Sequence, residues 1–154
     1  MIFALFEPDI PQNTGTILRL AACLDIAVHI IHPCGFAFSD KRISRSAMDY
    51  IHNVDLMHHD SWQDFTTFFS NPEQPYRFFL LTTKGSECFT KIEYRPHDVF
   101  IFGRESAGVT PEVEAFADKR ILIPMKNNQR SLNVAISAAM VATEAGRQLK
   151  VFDT

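Results

Sequence analysis

The chain has 154 residues, 46% hydrophobic and 21% charged, with a formal net charge of −3. Those values fit one globular domain with a sizeable core and exclude a disordered or fibrous chain. No apolar run reaches bilayer length, and the N-terminal MIFALF is short for a leader and lacks a basic flank. Cys23, Cys34 and Cys88 are odd in number and share no metal-like spacing, so a reduced cytoplasmic setting is expected. The acidic total does not announce a nucleic-acid binder, but local patches decide that more than the sum.

Continuous apolar runs alternate with segments of helical period. Residues 2–7 predict a strand and 14–25 a helix, with Ile17, Leu18, Ala21, Ala22 and Leu24 inward. A strand at 28–32 precedes a loop with Pro33 and Gly35, then a short basic helix over 40–50 and a strand at 54–58. Residues 61–70 read as a helix with Ser61 and Asp64 at capping-box spacing. Strands follow at 77–83 and 99–103, and Thr110 is placed as an N-cap with Pro111 at the first helical position. A sixth strand covers 120–124 and a final helix 133–150, apolar on nearly every side. Strands without strict alternation, separated by helices, predict a single doubly wound α/β domain over residues 1–154, with a six-stranded, mostly parallel sheet. Internal repeats, low-complexity tracts and linkers are absent from the sequence.

Such sheets bind ligands outside the carboxyl ends of their strands. Three of those ends are polar or glycine-bearing: residues 7–15, 103–108 and 125–133. In the first, Asn13 and Thr14 are candidate helix caps, and Arg19 projects from the helix that follows, either as a solvated arginine or as a bidentate phosphate ligand. The second sets Glu105 between Gly103 and Gly108 without a dinucleotide fingerprint, a Walker sequence or a nucleophile elbow around Ser106. In the third, Ser131 and Asn133 are candidate caps, and Lys126 and Arg130 bring positive charge to a helix N-terminus that favours anions. Lys41, Arg42 and Arg45 form a basic run, Lys84 marks a fourth polar strand end, and the scattered histidines give no metal motif.

Taken together, P-x-N-T-G-x-x-x-R over 11–19, F-G-R-E-S-A-G-V over 102–109, and I-P-M followed by R-S-L-N-V-A over 123–135 resemble the motifs of the SPOUT (SpoU–TrmD) RNA methyltransferases. Order and spacing are similar to the SpoU branch across the whole chain. EPDIPQNTG, CGF, KRISR, MDY and LTTKG look most like its TrmL-type members, which methylate the ribose of wobble nucleotide 34, a cytidine or modified uridine, in leucine tRNAs.

The resemblance implies a C-terminal deep trefoil knot and S-adenosylmethionine held by Leu81, Thr82, Gly103, Ile123, Met125, Ser131, Leu132 and Asn133. It implies Arg19, Asn13 and Glu105 at the reacting ribose, with Arg19 orienting the 2′-hydroxyl and the RNA phosphate. A literal base role does not suit a guanidinium whose pKa is above about 12. It also implies a homodimer, with Ala135, Ala138, Ala139, Ala142 and Ala145 letting a partner helix approach, and RNA contacts from Lys41, Arg42, Arg45, Lys84, Lys126 and Arg130. No metal is implied. The alternatives are a 2′-O-methyltransferase for another tRNA or rRNA nucleotide, a non-catalytic RNA- or nucleotide-binding module, and, more distantly, a flavodoxin-like phosphate binder.

Overall fold

Apolar runs of five residues dominate the middle of the chain, and the computed structural model, which describes residues 1–38, 41–126 and 129–153, assembles them into one sheet. Its strands are β1 (Ile2–Phe6), β2 (Ala27–Ile31), β3 (Leu56–His59), β4 (Arg77–Leu81), β5 (Glu87–Cys88), β6 (Asp98–Phe102) and β7 (Lys119–Leu122), in the order β3-β2-β1-β6-β4-β7-β5. Every pairing is parallel. Burial on both faces explains why these strands do not alternate apolar with polar. Phe3, Leu5, Phe100 and Phe102 enter one core, while Ala4, Phe6, Val99 and Ile101 enter the other.

The first core is covered by α1 (Pro11–Leu24), α2 (Lys41–Ala47) and α5 (Val134–Gln148), which contribute Ile17, Leu18, Ile43, Ala138, Val141 and Ala142. The second is covered by α3 (Trp62–Phe68) and α4 (Pro111–Phe116) through Phe65 and Val113. After β3 the chain turns back across the sheet, so the carboxyl ends of β1, β6, β4 and β7 stand side by side. That is where a doubly wound sheet opens its ligand crevice.

Several expectations are met closely. Ser61 accepts from the Asp64 amide at 3.1 Å and Thr110 from the Val113 amide at 3.4 Å, capping α3 and α4. Others are corrected. The sheet has seven strands rather than six, because the two-residue β5 pairs with Ile121 and Leu122 of β7 and is too short to carry a hydrophobic period. The first helix starts at Pro11 with Ile10 as N-cap, so Asn13 and Thr14 lie inside its first turn and cap nothing. Pro11 lacks an amide hydrogen that the first helical turn would leave unpaired anyway. The basic helix is α2 followed by a 3-10 turn, Met48–Asn53; its expected start at Asp40 lies outside the described residues.

The alanines of α5 are also reassigned. Ala135, Ala138, Ala142 and Ala145 are buried in the chain's own first core, so they set the distance between α5 and its neighbours rather than offering a face to a partner, while Ala139 is half-buried. Among the described residues, no helix is long and apolar enough to cross a membrane.

Candidate active site

A cavity of about 430 Å³ opens at the carboxyl ends of β4, β6 and β7. Its size is that of a small-molecule site. Leu81, Thr82, Gly103, Ile123, Met125, Ser131, Leu132 and Asn133 all line it, as do Asn13 and Glu105. Ile10, Phe102 and Val134 add apolar lining and Thr83 and Ser137 polar lining; of these, Ser137 lies outside the quoted motifs. The lining suits a ligand with both apolar and polar parts. Asn127 and Asn128, in the expected third loop, lie outside the described residues.

Local chemistry explains how the loops hold their shape. The second loop closes on itself: the Arg104 amide donates to the Gly108 carbonyl at 2.9 Å, and the Gly108 amide returns to Arg104 at 2.7 Å. Gly108 has φ +71°, and a Cβ on Gly103 would stand 2.8 Å from the Gly108 main chain. Both positions therefore require glycine. At the end of β1, Glu7 occupies a left-handed conformation with φ 45°, and its carboxylate meets the Arg104 guanidinium at 2.9 Å. Arg104 Nε also donates to the Glu7 carbonyl at 3.1 Å, tying the first loop to the second.

Side chains complete the tie. Glu105 accepts from the Asp9 amide at 3.0 Å and from Asn13 Nδ2 at 3.1 Å. Asn13 Oδ1 in turn accepts from Asn133 Nδ2 at 2.8 Å. Asn133 caps α5, its Oδ1 accepting from the Ala135 and Ile136 amides at 2.8 and 3.4 Å. Glu105, Asn13 and Asn133 thus bind all three loops into one rim, and Asn133 is a cap as expected, whereas Ser131 is an exposed lining residue.

The rim is electrostatically uneven. Burial and the adjacent Asp9 carboxyl push the Glu105 pKa up, against donors that favour its ionised form. For Asp9, burial also disfavours ionisation, but hydrogen bonds from Glu105 and Ser106 outweigh it and hold the group below the usual carboxylate range. Ser106 donates from its hydroxyl to Asp9 Oδ2. The physical account is one pair of carboxyls in which Glu105 keeps the proton longer. Asp9 and Arg104 are site residues that sequence reasoning passed over; their only signal was charge inside a motif loop.

Arg19 does not line the cavity. It is exposed on α1, with its guanidinium carbon 5.3 Å from the centroid of the Tyr50 ring. Lys41, Arg42 and Arg45 are exposed on α2, while Lys84, Lys126 and Arg130 are exposed beyond β4 and β7. Away from the cavity, histidines in β2 and just after it pair with those of β3. His29 and His59 share a buried hydrogen bond at 2.8 Å, and His32 and His58 an exposed one at 2.9 Å. Burial, then His59, lowers His29 to about 4. Among the described residues, no group of three or more His, Cys, Asp or Glu side chains is gathered for a metal.

Comparison with known proteins agrees with this geometry. The model of the SpoU rRNA methylase family matches residues 1–143. A tRNA (cytidine(34)-2′-O)-methyltransferase of Beijerinckia indica is 48% identical over 148 residues, covering 96% of this chain and 91% of that protein. A structure solved for insight into 2′-OH methylation of C/U34 on tRNA superposes with TM-score 0.90 at 37% identity, covering 97% of this chain and 95% of that one. An AdoMet-bound rRNA methyltransferase from Sinorhizobium meliloti superposes with TM-score 0.86 at 25% identity, over 96% of this chain and 56% of that one. The sheet, its carboxyl-edge crevice and these relatives together place the chain among methyltransferases of the SPOUT fold. The chain belongs to the SpoU methylase family.

Proposed function

We propose that this chain is a tRNA 2′-O-methyltransferase that uses S-adenosylmethionine to methylate the ribose of wobble nucleotide 34, a cytidine or modified uridine, in leucine tRNAs. The observation that carries the reading is the convergence of all eight motif-derived cofactor residues on one cavity of mixed polarity. Relatives at up to 48% identity, named for cytidine-34 2′-O-methylation of tRNA, supply the substrate class. When bound, S-adenosylmethionine would supply an activated methyl group to the ribose oxygen, its sulfur leaving as the thioether of S-adenosylhomocysteine and the hydroxyl proton passing to solvent.

This chain's own residues align and polarise. Leu81, Ile123, Met125 and Leu132 enclose the cofactor's apolar part, while Thr82, Ser131, Asn133 and the main chain at Gly103 hold its polar groups. Asn13, fixed between Glu105 and Asn133, orients the ribose edge. Arg19 holds the RNA phosphate and polarises the 2′-hydroxyl, because a guanidinium retains its proton. Alignment of hydroxyl, methyl and sulfur supplies much of the acceleration.

Lys41, Arg42 and Arg45 on α2, with Lys84, Lys126 and Arg130 beyond β4 and β7, are exposed and supply the charge that meets the RNA. A homodimer doubles that charge and covers Ile10, Leu132 and Ile136, which are 41%, 40% and 55% exposed around the first turn of α5 and the loops beside it. The knot belongs to the same reading. The Thr82 amide donates to the Ile121 carbonyl at 3.0 Å, and a Cβ on Gly85 would stand 2.6 Å from the Ile121 main chain, so the two segments are pressed together.

The test is methyl transfer to purified leucine tRNAs with substituted wobble bases, beside calorimetry with S-adenosylmethionine. Transfer confined to nucleotide 34 is expected. Arg19→Ala abolishes it while cofactor affinity survives. Absent cofactor binding, or methylation at another nucleotide, overturns the assignment.

A further inference from the structure

Helices α1 and α2 approach closely at Gly15. A Cβ there would stand 2.6 Å from Ser46 Cβ and 2.8 Å from the Ile43 carbonyl oxygen, so α1 and α2 touch where only glycine leaves room. Arg19 lies four residues beyond Gly15 on α1, and Tyr50 lies four residues beyond Ser46 in the 3-10 turn that continues α2. The contact at Gly15 therefore delivers the Tyr50 ring to Arg19 one turn further on, with the guanidinium carbon 5.3 Å from the ring centroid. That separation is within cation–π range.

We infer that Tyr50 is a positioning residue: the face of its ring restricts the Arg19 guanidinium to the side of α1 from which it reaches the RNA backbone and ribose. The inference rests on the proposed role of Arg19. An exposed arginine on a helix samples many rotamers, and the work of orienting a hydroxyl is lost in most of them. The ring acts beside the other interactions of Arg19, and it needs only its π face. Its hydroxyl has no part in the arrangement.

The experiment compares Tyr50→Phe, Tyr50→Leu and replacement of Tyr50 by pentafluorophenylalanine in the full chain. Fluorination keeps the ring's shape and inverts its quadrupole, so a packing role would not feel it. Tyr50→Phe is expected to retain kcat. The fluorinated ring and Tyr50→Leu lose roughly three- to thirty-fold in kcat, with cofactor Kd and thermal midpoint of the fluorinated protein unchanged. Equal rates for the phenylalanine and pentafluorophenylalanine proteins overturn the inference, as does a Tyr50→Phe rate as low as that of Tyr50→Leu. If Arg19→Ala is inactive while the Tyr50 series is flat, only the positioning role falls. If Arg19→Ala remains active, the role of Arg19 falls with it.

Discussion

The two ends of the sheet each carry a network of ions and hydrogen bonds, and the networks differ in how well they are satisfied. At the amino end, Asp98 is 1% exposed and accepts from Arg77 Nε at 2.8 Å, Arg77 Nη2 at 2.7 Å and the Arg95 amide at 2.7 Å. Arg77 also donates to the Glu93 carbonyl at 3.0 Å and lies over the Phe79 ring at 5.1 Å. Opposite charges are bidentate and complete. At the carboxyl end, Glu7 and Asp9 crowd around Arg104, Glu7 sits at positive φ, and Asp9 Oδ1 and Thr14 Oγ1 are buried without a partner among the described residues. A satisfied network holds a fold together. A network left short of partners marks where chemistry is done, since perturbed groups gather at such sites.

The largest effect is expected at the satisfied end. Asp98→Ala leaves the Arg77 guanidinium without its carboxylate and the Arg95 amide without an acceptor, at a cost of about 3–5 kcal/mol. Urea unfolding measures the loss, and calorimetry on the folded fraction should return an unchanged cofactor affinity. A fall in affinity would mean that the two ends are coupled, breaking the comparison.

Glu105→Gln is the matching change at the other end, and its effect lies in activity. The amide keeps an acceptor for the Asp9 amide but disturbs the rim that orients Asn13, so kcat should fall by ~10–100-fold. Stability moves differently. Because the folded pKa of Glu105 is raised, its contribution is fully present below the ordinary value of 4.5 and is lost as pH rises through the folded value. Asp9, lowered from 3.8, contributes in the opposite sense, losing its share only as pH falls through its folded value. Urea midpoints across pH should therefore decline above 4.5 in the parent and stay flatter in Glu105→Gln. A parallel decline in both would remove Glu105 as the source.

What was legible in the sequence follows the range of the interactions. Thr110 with Pro111 and Ser61 with Asp64 are local devices, and both cap as their spacing predicts. The strands of the sheet centre are continuous apolar runs because both faces are buried, and their carboxyl-end loops formed the crevice. The start of the first helix, expected at residue 14, lies at Pro11, since a proline that opens a helix and a proline in the loop before one look the same in one dimension. Four alanines of α5, Ala135, Ala138, Ala142 and Ala145, misled for another reason: a helix apolar on nearly every side does not say which side meets its own sheet. The tie from Asn133 to Asn13 spans 120 residues, and the meeting of Arg104 with Glu7 spans 97. No pattern of period or spacing encodes contacts of that reach. The family motifs named Asn13 and Asn133 without saying that they touch.

Thr14 gives the smallest and sharpest test of the unsatisfied end. It is 1% exposed, its hydroxyl has no described partner, and it borders a space with room for about one water molecule, shared with Leu5, Phe102, Gly103 and Glu105. Thr14→Val keeps the shape and removes the hydroxyl. If that hydroxyl is unsatisfied, the desolvation cost disappears, and the variant should match the parent or exceed it by up to about 1 kcal/mol. If instead a buried water links Thr14 to Glu105, the substitution strands the water and stability falls by about 1–2 kcal/mol, with the pH dependence assigned to Glu105 shifting at the same time. The sign of that change decides whether the carboxyl end is short of partners as built, or is completed by solvent beneath the site.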